Sequence, residues 1–259
     1  MADPVTIRPA ATILLVRDDP EFQVLMVKRH HQIDFASGAL VFPGGKTDPA
    51  DHDPAWEALV EGWGDTEAAE RPLRIAAIRE AYEEAGILVA RHPSGEIFHG
   101  NETAVAARDA VAKGQRSFLE LVSELQLRLD LAALTVFARW ITPAMMPKRF
   151  DTWFYVVRAT SDQLAVCDGW ETVDAEWIAP AEVMRLATTG ERKVIFPTRM
   201  NLQLLAESAS GEEAVAQAGA RTLVVVEPKV ERRESGSVLV IPSDAGYGAV
   251  VEPLAALNV

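Results

Sequence analysis

Residues 79–87, Arg-Glu-Ala-Tyr-Glu-Glu-Ala-Gly-Ile, constrain the fold more than any other stretch of the chain. On a helix, side chains three and four residues apart are surface neighbours, so Glu80, Glu83 and Glu84 share one strip. Like charges at that spacing cost about 0.2–0.5 kcal/mol per pair. Ile78, Ala81, Tyr82 and Ala85 fall on the opposite side and predict a core-facing stripe. Pro72 predicts where this helix starts, and Gly86 stands where a left-handed cap would end it after Ala85. Three glutamates on an amphipathic helix are commonly no more than a solvated face. A hard divalent cation, however, turns their repulsion into binding energy. Magnesium suits such a strip, because it takes one or two carboxylates, keeps several waters and accepts phosphate oxygens as further ligands.

The surrounding residues favour the cation. Arg79 precedes the acids, and Phe42-Pro43-Gly44-Gly45 lies upstream. Together these resemble the Nudix hydrolase family. Its box runs Gly, five residues, Glu, seven residues, then Arg-Glu-apolar-any-Glu-Glu-any-Gly-apolar. Arg79, Glu80, Ala81, Glu83, Glu84, Gly86 and Ile87 match every specified position of the second half. Two departures stand out. Counted from Gly45, the first acidic position falls on Asp51, one methylene shorter than Glu. In addition, 27 residues separate Asp51 from Arg79 where the box has seven, an insert of 20. An insert of that length in a functional loop is usually structured or a lid. Asp53-Pro54 predicts a capped helical turn through Val60 with Trp56, Leu59, Val60 and Trp63 on its apolar side, broken by Gly62 and Gly64. The tryptophans could stack on a base, or fold the insert onto the domain or a second subunit.

Composition narrows the partners. The net charge of −13, from 25 basic and 38 acidic side chains, repels phosphate backbones and argues against nucleic acid. An anionic small substrate must then be drawn in by a metal and a few local arginines. No apolar run reaches the 18 residues of a membrane span. The start carries no apolar segment of a secretory signal, and the end is no peroxisomal tripeptide, so the expected compartment is the cytoplasm. The single cysteine, Cys167, reads as a small core residue.

Along the chain, residues 11–17 and 22–28 read as strands joined by a turn at 18–21, and 39–42 as a short strand running into the glycine pair. Residues 102–130 read as helical, 134–140, 152–157 and 175–178 as strands, and Pro180 as the start of a helix through Leu186. Mixed strands with a few helices predict an α+β layered domain. The resemblance makes it the Nudix sandwich, a mixed β-sheet between helices, over residues 5–205. Residues 206–259 are expected as a C-terminal extension with a helix near 212–220 and a hairpin of 223–226 with 238–241. That extension would pack on the domain or on a partner subunit, which makes a homodimer one expected assembly.

The resemblance also assigns roles. The family hydrolyses a diphosphate joined to a nucleoside and another group. It implies Mg²⁺ or Mn²⁺ on Glu80 and Glu84, with Glu83 as a catalytic residue that is a ligand or supports the ligands, and a backbone carbonyl from Gly44 or Gly45. Arg79 would orient the glutamates. A later loop acid often serves as base or ligand; Glu171 is the choice here over Asp174 and Glu176. Arg29, Gly38 and Phe42 have the spacing of the coenzyme A diphosphatase signature, except that Asp34 stands where it has a second arginine. The long insert, with 140–143 and 149–152, looks like the branch that includes peroxisomal coenzyme A diphosphatases. Arg29 and Arg149 would pair with substrate phosphates. The expected substrate is therefore coenzyme A or an acyl-coenzyme A. ADP-ribose, a dinucleotide or a nucleotide sugar is the alternative, and a non-catalytic nucleotide sensor is a third, different class.

Overall fold

The structure is a computed structural model that describes residues 5–29, 38–159, 172–234 and 236–254, with the side chains of residues 29, 172 and 173 outside that description. In chain order come β1 (Ile7–Arg17), β2 (Gln23–Arg29), β3 (Leu40–Val41), β4 (Gly44–Lys46), β5 (Val60–Glu61), α1 (Arg71–Ala85) and β6 (Ala90–Arg91). Then follow α2 (Glu102–Ala112), α3 (Phe118–Glu124), β7 (Arg128–Asp130), β8 (Thr135–Ile141), β9 (Arg149–Arg158), β10 (Thr172–Ile178), α4 (Pro180–Thr189), α5 (Phe196–Leu205) and α6 (Gly211–Ala220). The chain closes with β11 (Val225–Val226), β12 (Lys229–Arg233), β13 (Gly236–Val240) and β14 (Val251–Pro253). Among the described residues no helix is long and apolar enough to cross a membrane.

The central sheet runs β10-β2-β1-β9-β8-β11, with β3 on β2 and β4 on β1. It is mixed: β1 pairs parallel to β9, and β8 parallel to β11, while the other pairs are antiparallel. Its residues alternate between two cores, as the pleat requires. Ala11, Ile13, Leu15, Leu25, Val27, Tyr155 and Val157 pack with α1, whereas Leu14, Val16, Met26, Phe154 and Val156 pack with α4, α5 and α6. This is the α+β mixed sheet between helices that the resemblance implies.

Two sequence-based readings are corrected. Residues 102–130 are not one helix. Gly114 (φ +65°) interrupts them, Ser117 caps α3 through Glu120 N–H, and 128–130 form a strand between β5 and β6. Helical apolar spacing is shared by two short helices in series, so periodicity alone does not reveal the break. The tail hairpin is also paired differently. Residues 225–226 extend the central sheet beside β8, and β13 pairs with β12 and β14 instead. The tail packs on the domain's own second core through Leu239, Ile241 and Tyr247. The Tyr247 hydroxyl accepts from Trp140 Nε1 at 3.1 Å and donates to Asn201 Oδ1 at 2.7 Å.

The insert is folded onto the domain. Asp53 caps the turn Pro54–Leu59, accepting from Ala55 N–H, and Trp56 is buried within it. The Trp56 indole donates to Ala50 O at 2.9 Å, and its ring lies 5.6 Å from Phe118, which stacks on Tyr82 of α1 at 5.7 Å. Trp63 packs under the Arg71 guanidinium, 4.4 Å from the ring centre. Insert and helix α1 therefore share one apolar contact chain.

Candidate active site

Helix α1 starts at Arg71 with Pro72 in its first turn and stops at Gly86 (φ +74°), whose N–H reaches the Tyr82 carbonyl. Its apolar stripe, Ile78, Ala81, Tyr82 and Ala85, is buried as the sequence predicts, and Ile75 one turn earlier is buried with it. The acidic strip is not a solvated face. Glu80 is 8 % exposed and Glu84 4 %, both turned toward β4. β4 makes this approach possible because its first two residues are glycines. A Cβ on Gly45 would stand 2.6 Å from the Glu80 carboxyl carbon, and one on Gly44 would stand 2.6 Å from the Ala11 carbonyl oxygen. Gly44 N–H donates to Glu84 Oε2 at 3.1 Å.

Arg79 ties the acids together. Its guanidinium donates to Asp51 Oδ1 and Oδ2 at 3.0 and 3.2 Å, to Glu80 Oε1 at 2.9 Å, to Glu83 Oε2 at 2.9 Å and to the Lys46 carbonyl at 3.0 Å. Asp51, 2 % exposed, reaches this position from a 3-10 turn, Pro49–His52, capped by Asp48; it accepts from Asp48 N–H at 2.7 Å. The turn supplies the length that the aspartate lacks, and the insert leaves from its far end. Burial pushes the Glu83 carboxyl up to about 8; Arg79 opposes this, while Glu80 and Asp51 add to it. Burial pulls Arg79 down, but Glu80, Asp51 and Glu83 more than offset that and hold it charged.

This donor set fits a hard divalent cation. Glu80 and Glu84 are buried oxygen donors beside a backbone from which side chains are excluded, and the space a Cβ would fill at Gly45 is held by the Glu80 carboxylate. Among the described residues no group of three or more acids, histidines or cysteines is placed to hold a metal ion, and the Arg79 guanidinium bridges Glu80 and Glu83.

The remaining predicted residues lie elsewhere. Phe42 is 3 % exposed and packs with Leu40 and Phe196 in the second core, on the sheet face away from α1. Gly38 adopts φ +68° just before β3. Arg149 is occupied within the chain: it donates to Thr142 O at 3.0 Å and to Glu227 at 2.5 Å. Glu171 and the side chain of Arg29 lie outside the described residues. Of the other late acids, Asp174 is exposed opposite Lys28, and Glu176 lies 3.5 Å from Arg192 as an ion pair without hydrogen-bond alignment. Arg139 and Trp153 were not singled out by sequence reasoning. Both are partly exposed on the α1 face of the sheet, and only strand register could have drawn attention to them.

Comparison with known proteins agrees with this geometry. The family model NUDT19 Nudix domain matches residues 61–203. The human acyl-coenzyme A diphosphatase NUDT19 is 27 % identical over 271 residues, 87 % of this chain and 72 % of that protein. Its Xenopus laevis counterpart is 23 % identical over 272 residues, 88 % of this chain and 72 % of that one. The crystal structure of a Nudix hydrolase from Alicyclobacillus acidocaldarius superposes with a TM-score of 0.65 at 26 % identity, covering 82 % of this chain and 96 % of that one. A glycine strand against two buried glutamates, an arginine clasping the acids and a family match over more than half the chain lead to one conclusion: this protein belongs to the Nudix hydrolase family and is a pyrophosphohydrolase.

Proposed function

We propose that the protein hydrolyses the diphosphate linkage of coenzyme A or an acyl-coenzyme A, giving a 3′,5′-bisphosphorylated adenosine and a phosphopantetheine. The observation that carries this substrate is the similarity to acyl-coenzyme A diphosphatases over 87 % of the chain. Glu80 and Glu84 would hold Mg²⁺ or Mn²⁺, with a carbonyl of Gly44 or Gly45 and with Glu83 beside them. When bound, such a cation neutralises diphosphate charge and makes a coordinated water easier to deprotonate.

The protein's own residues divide the rest of the work. Arg79, anchored on Asp51 and the Lys46 carbonyl, holds Glu80 and Glu83 at fixed positions on the helix. A carboxylate near the attacking water accepts its proton; Glu83 and Glu171 are the candidates. Burial favours the protonated form of Glu83, so it serves as an acceptor only once its environment favours charge. Arg29 and Gly38 would meet the substrate ahead of the glycine strand. Phe42 would support that wall from within the core, and Arg149 would reach a phosphate only by leaving Glu227.

The test is a panel of coenzyme A, an acyl-coenzyme A, ADP-ribose, a reduced dinucleotide and diadenosine polyphosphate, each with Mg²⁺ or Mn²⁺ and with products identified. Fastest turnover of the coenzyme A compounds is expected. Preference for ADP-ribose or a dinucleotide would replace the substrate, and tight binding with no turnover would make the protein a sensor.

A further inference from the structure

Between Asp48 and Ala58 only Asp51 and Trp56 are buried; every other residue of that stretch is exposed. The 3-10 turn Pro49–His52 therefore has solvent along its outer side, and so short a turn has few contacts of its own to keep it from fraying. Yet this turn carries Asp51, whose two carboxylate oxygens receive Nε and Nη2 of Arg79. The orientation of the guanidinium plane depends on that grip, and with it the reach of Nη1 to Glu80 and Glu83, both at 2.9 Å. Chain connectivity restrains the pair only weakly, since 27 residues separate Asp51 from Arg79.

The restraint comes from the insert itself. The Ala50 backbone, immediately before Asp51, is held at both of its polar groups. Its N–H donates to Asp48 Oδ1 at 2.9 Å, and its carbonyl accepts from the Trp56 indole Nε1 at 2.9 Å. Asp53 N–H reaches the same carbonyl at 3.2 Å from within the turn, so the indole is the donor that ties this carbonyl to the body of the domain. Trp56 is firmly placed to do so. It is 1 % exposed, its ring lies 5.6 Å from Phe118, and Phe118 stacks on Tyr82 of α1. Tyr82 stands three residues beyond Arg79 on the same helix, and its hydroxyl is fixed on Ala104 O at 2.5 Å. A closed loop of contacts results: α1 holds Trp56 through Phe118, Trp56 holds Ala50, and Asp51 holds Arg79 of α1.

We propose that Trp56 is a positioning residue for hydrolysis, fixing Asp51 through the Ala50 carbonyl and, through Asp51, the orientation of Arg79 between Glu80 and Glu83. The first turn of the insert is then a brace for the acidic site. Its effect on turnover rests on the pyrophosphatase reading of that site, whereas its effect on Arg79 does not. Phenylalanine at position 56 separates this role from simple packing, because it retains a ring against Phe118 and lacks the N–H that reaches Ala50. Displacements of about 1 Å in an active site can cost about 100-fold in rate. The loss of one hydrogen bond to a turn that keeps its other contacts is expected to cost about 10-fold.

The experiment follows the Arg79 side chain directly as well as the reaction. Hydrogen exchange of the arginine Nε–H groups is measured by ¹⁵N NMR in the full chain, Trp56→Phe and Asp48→Ala, with Arg74 Nε–H, bonded to Glu70 on the same helix, as internal reference. Trp56→Phe is expected to speed exchange at Arg79 about 10-fold and to leave Arg74 unchanged. On the substrate that the parent protein turns over fastest, kcat should fall about 10-fold with KM unchanged. Asp48→Ala releases the other side of Ala50 from an exposed position and should act in the same direction. It carries the comparison should Trp56→Phe lose its cooperative melt. Unchanged exchange at Arg79, equal acceleration at Arg74, or a kcat equal to the parent's overturns the brace and leaves the hydrolysis standing. Faster exchange confined to Arg79, in a protein that hydrolyses nothing in the panel, keeps the brace and removes the diphosphatase reading.

Discussion

Gly45 and Glu80 occupy one space: the carboxyl carbon of Glu80 lies 2.6 Å from where a Cβ at position 45 would stand. Gly45→Ala therefore meets the far end of a side chain that can swing away, whereas Gly44→Ala meets the Ala11 carbonyl and Thr12 Cα, which cannot. Gly45→Ala is expected to keep its melting temperature within a few degrees and to lose about 100-fold in turnover, as a displaced metal donor would. Gly44→Ala should lose about 1–3 kcal/mol of stability in urea unfolding. Equal stability losses in the two variants would show that the glycines differ only in sequence.

Glu84→Gln keeps an acceptor for Gly44 N–H and removes only the charge. Turnover should fall by about 100-fold or more with the fold unchanged by circular dichroism. Mn²⁺ uptake followed by calorimetry should weaken in parallel. Parent-like turnover would remove Glu84 from the metal site.

Arg79→Lys retains a cation but not the fork that grips both oxygens of Asp51. A loss of about 1.5–3 kcal/mol is expected in chemical denaturation, because buried Asp51 would keep an incomplete partner set. Turnover should fall as well, since Glu80 and Glu83 lose the same anchor.

Trp56 lies in the insert yet 1 % exposed, packed on Phe118 rather than over the acids. Trp56→Ala is expected to cost about 3–5 kcal/mol. Trp56→Phe should be milder, and both should leave KM unchanged in protein that remains folded. A large rise in KM for Trp56→Phe without a stability change would make the insert a lid after all.

The tail gives the protein an alkaline limit. Burial pushes the Tyr247 hydroxyl up to about 12, partly offset by the Trp140 N–H that it accepts. A raised phenol keeps its proton in the folded state between the ordinary value of 10.0 and about 12, where the unfolded chain has released it. The unfolded state then binds fewer protons, so stability falls as pH rises through that window. Buried Tyr82, also raised to about 12, acts in the same sense. Melting temperature should decline from pH 10 to 12, and Tyr247→Phe should decline less steeply even though it starts lower.

Local order determined much of what the sequence revealed. Helix α1 was legible because its stop at Gly86, its apolar stripe and its acids obey rules of adjacent residues. The turn capped by Asp53 was legible for the same reason. The break at Gly114 was not, since the apolar spacing continues on both sides of it.

What only tertiary structure decided concerns distance across strands and the burial of charge. Sequence spacing placed three glutamates on one helix strip but could not say that β4 would bury two of them, nor that a 3-10 turn would bring the shorter Asp51 within reach of Arg79. It offered Arg149 as a partner for substrate phosphate, whereas the fold returns the tail to it and supplies Glu227. Arg139, Trp153 and Gly45 are far apart in the chain and adjacent only through strand register. The pairing of β1 with β4 and β9 made them one row, because hydrogen-bond ladders carry no signature in the residues they join.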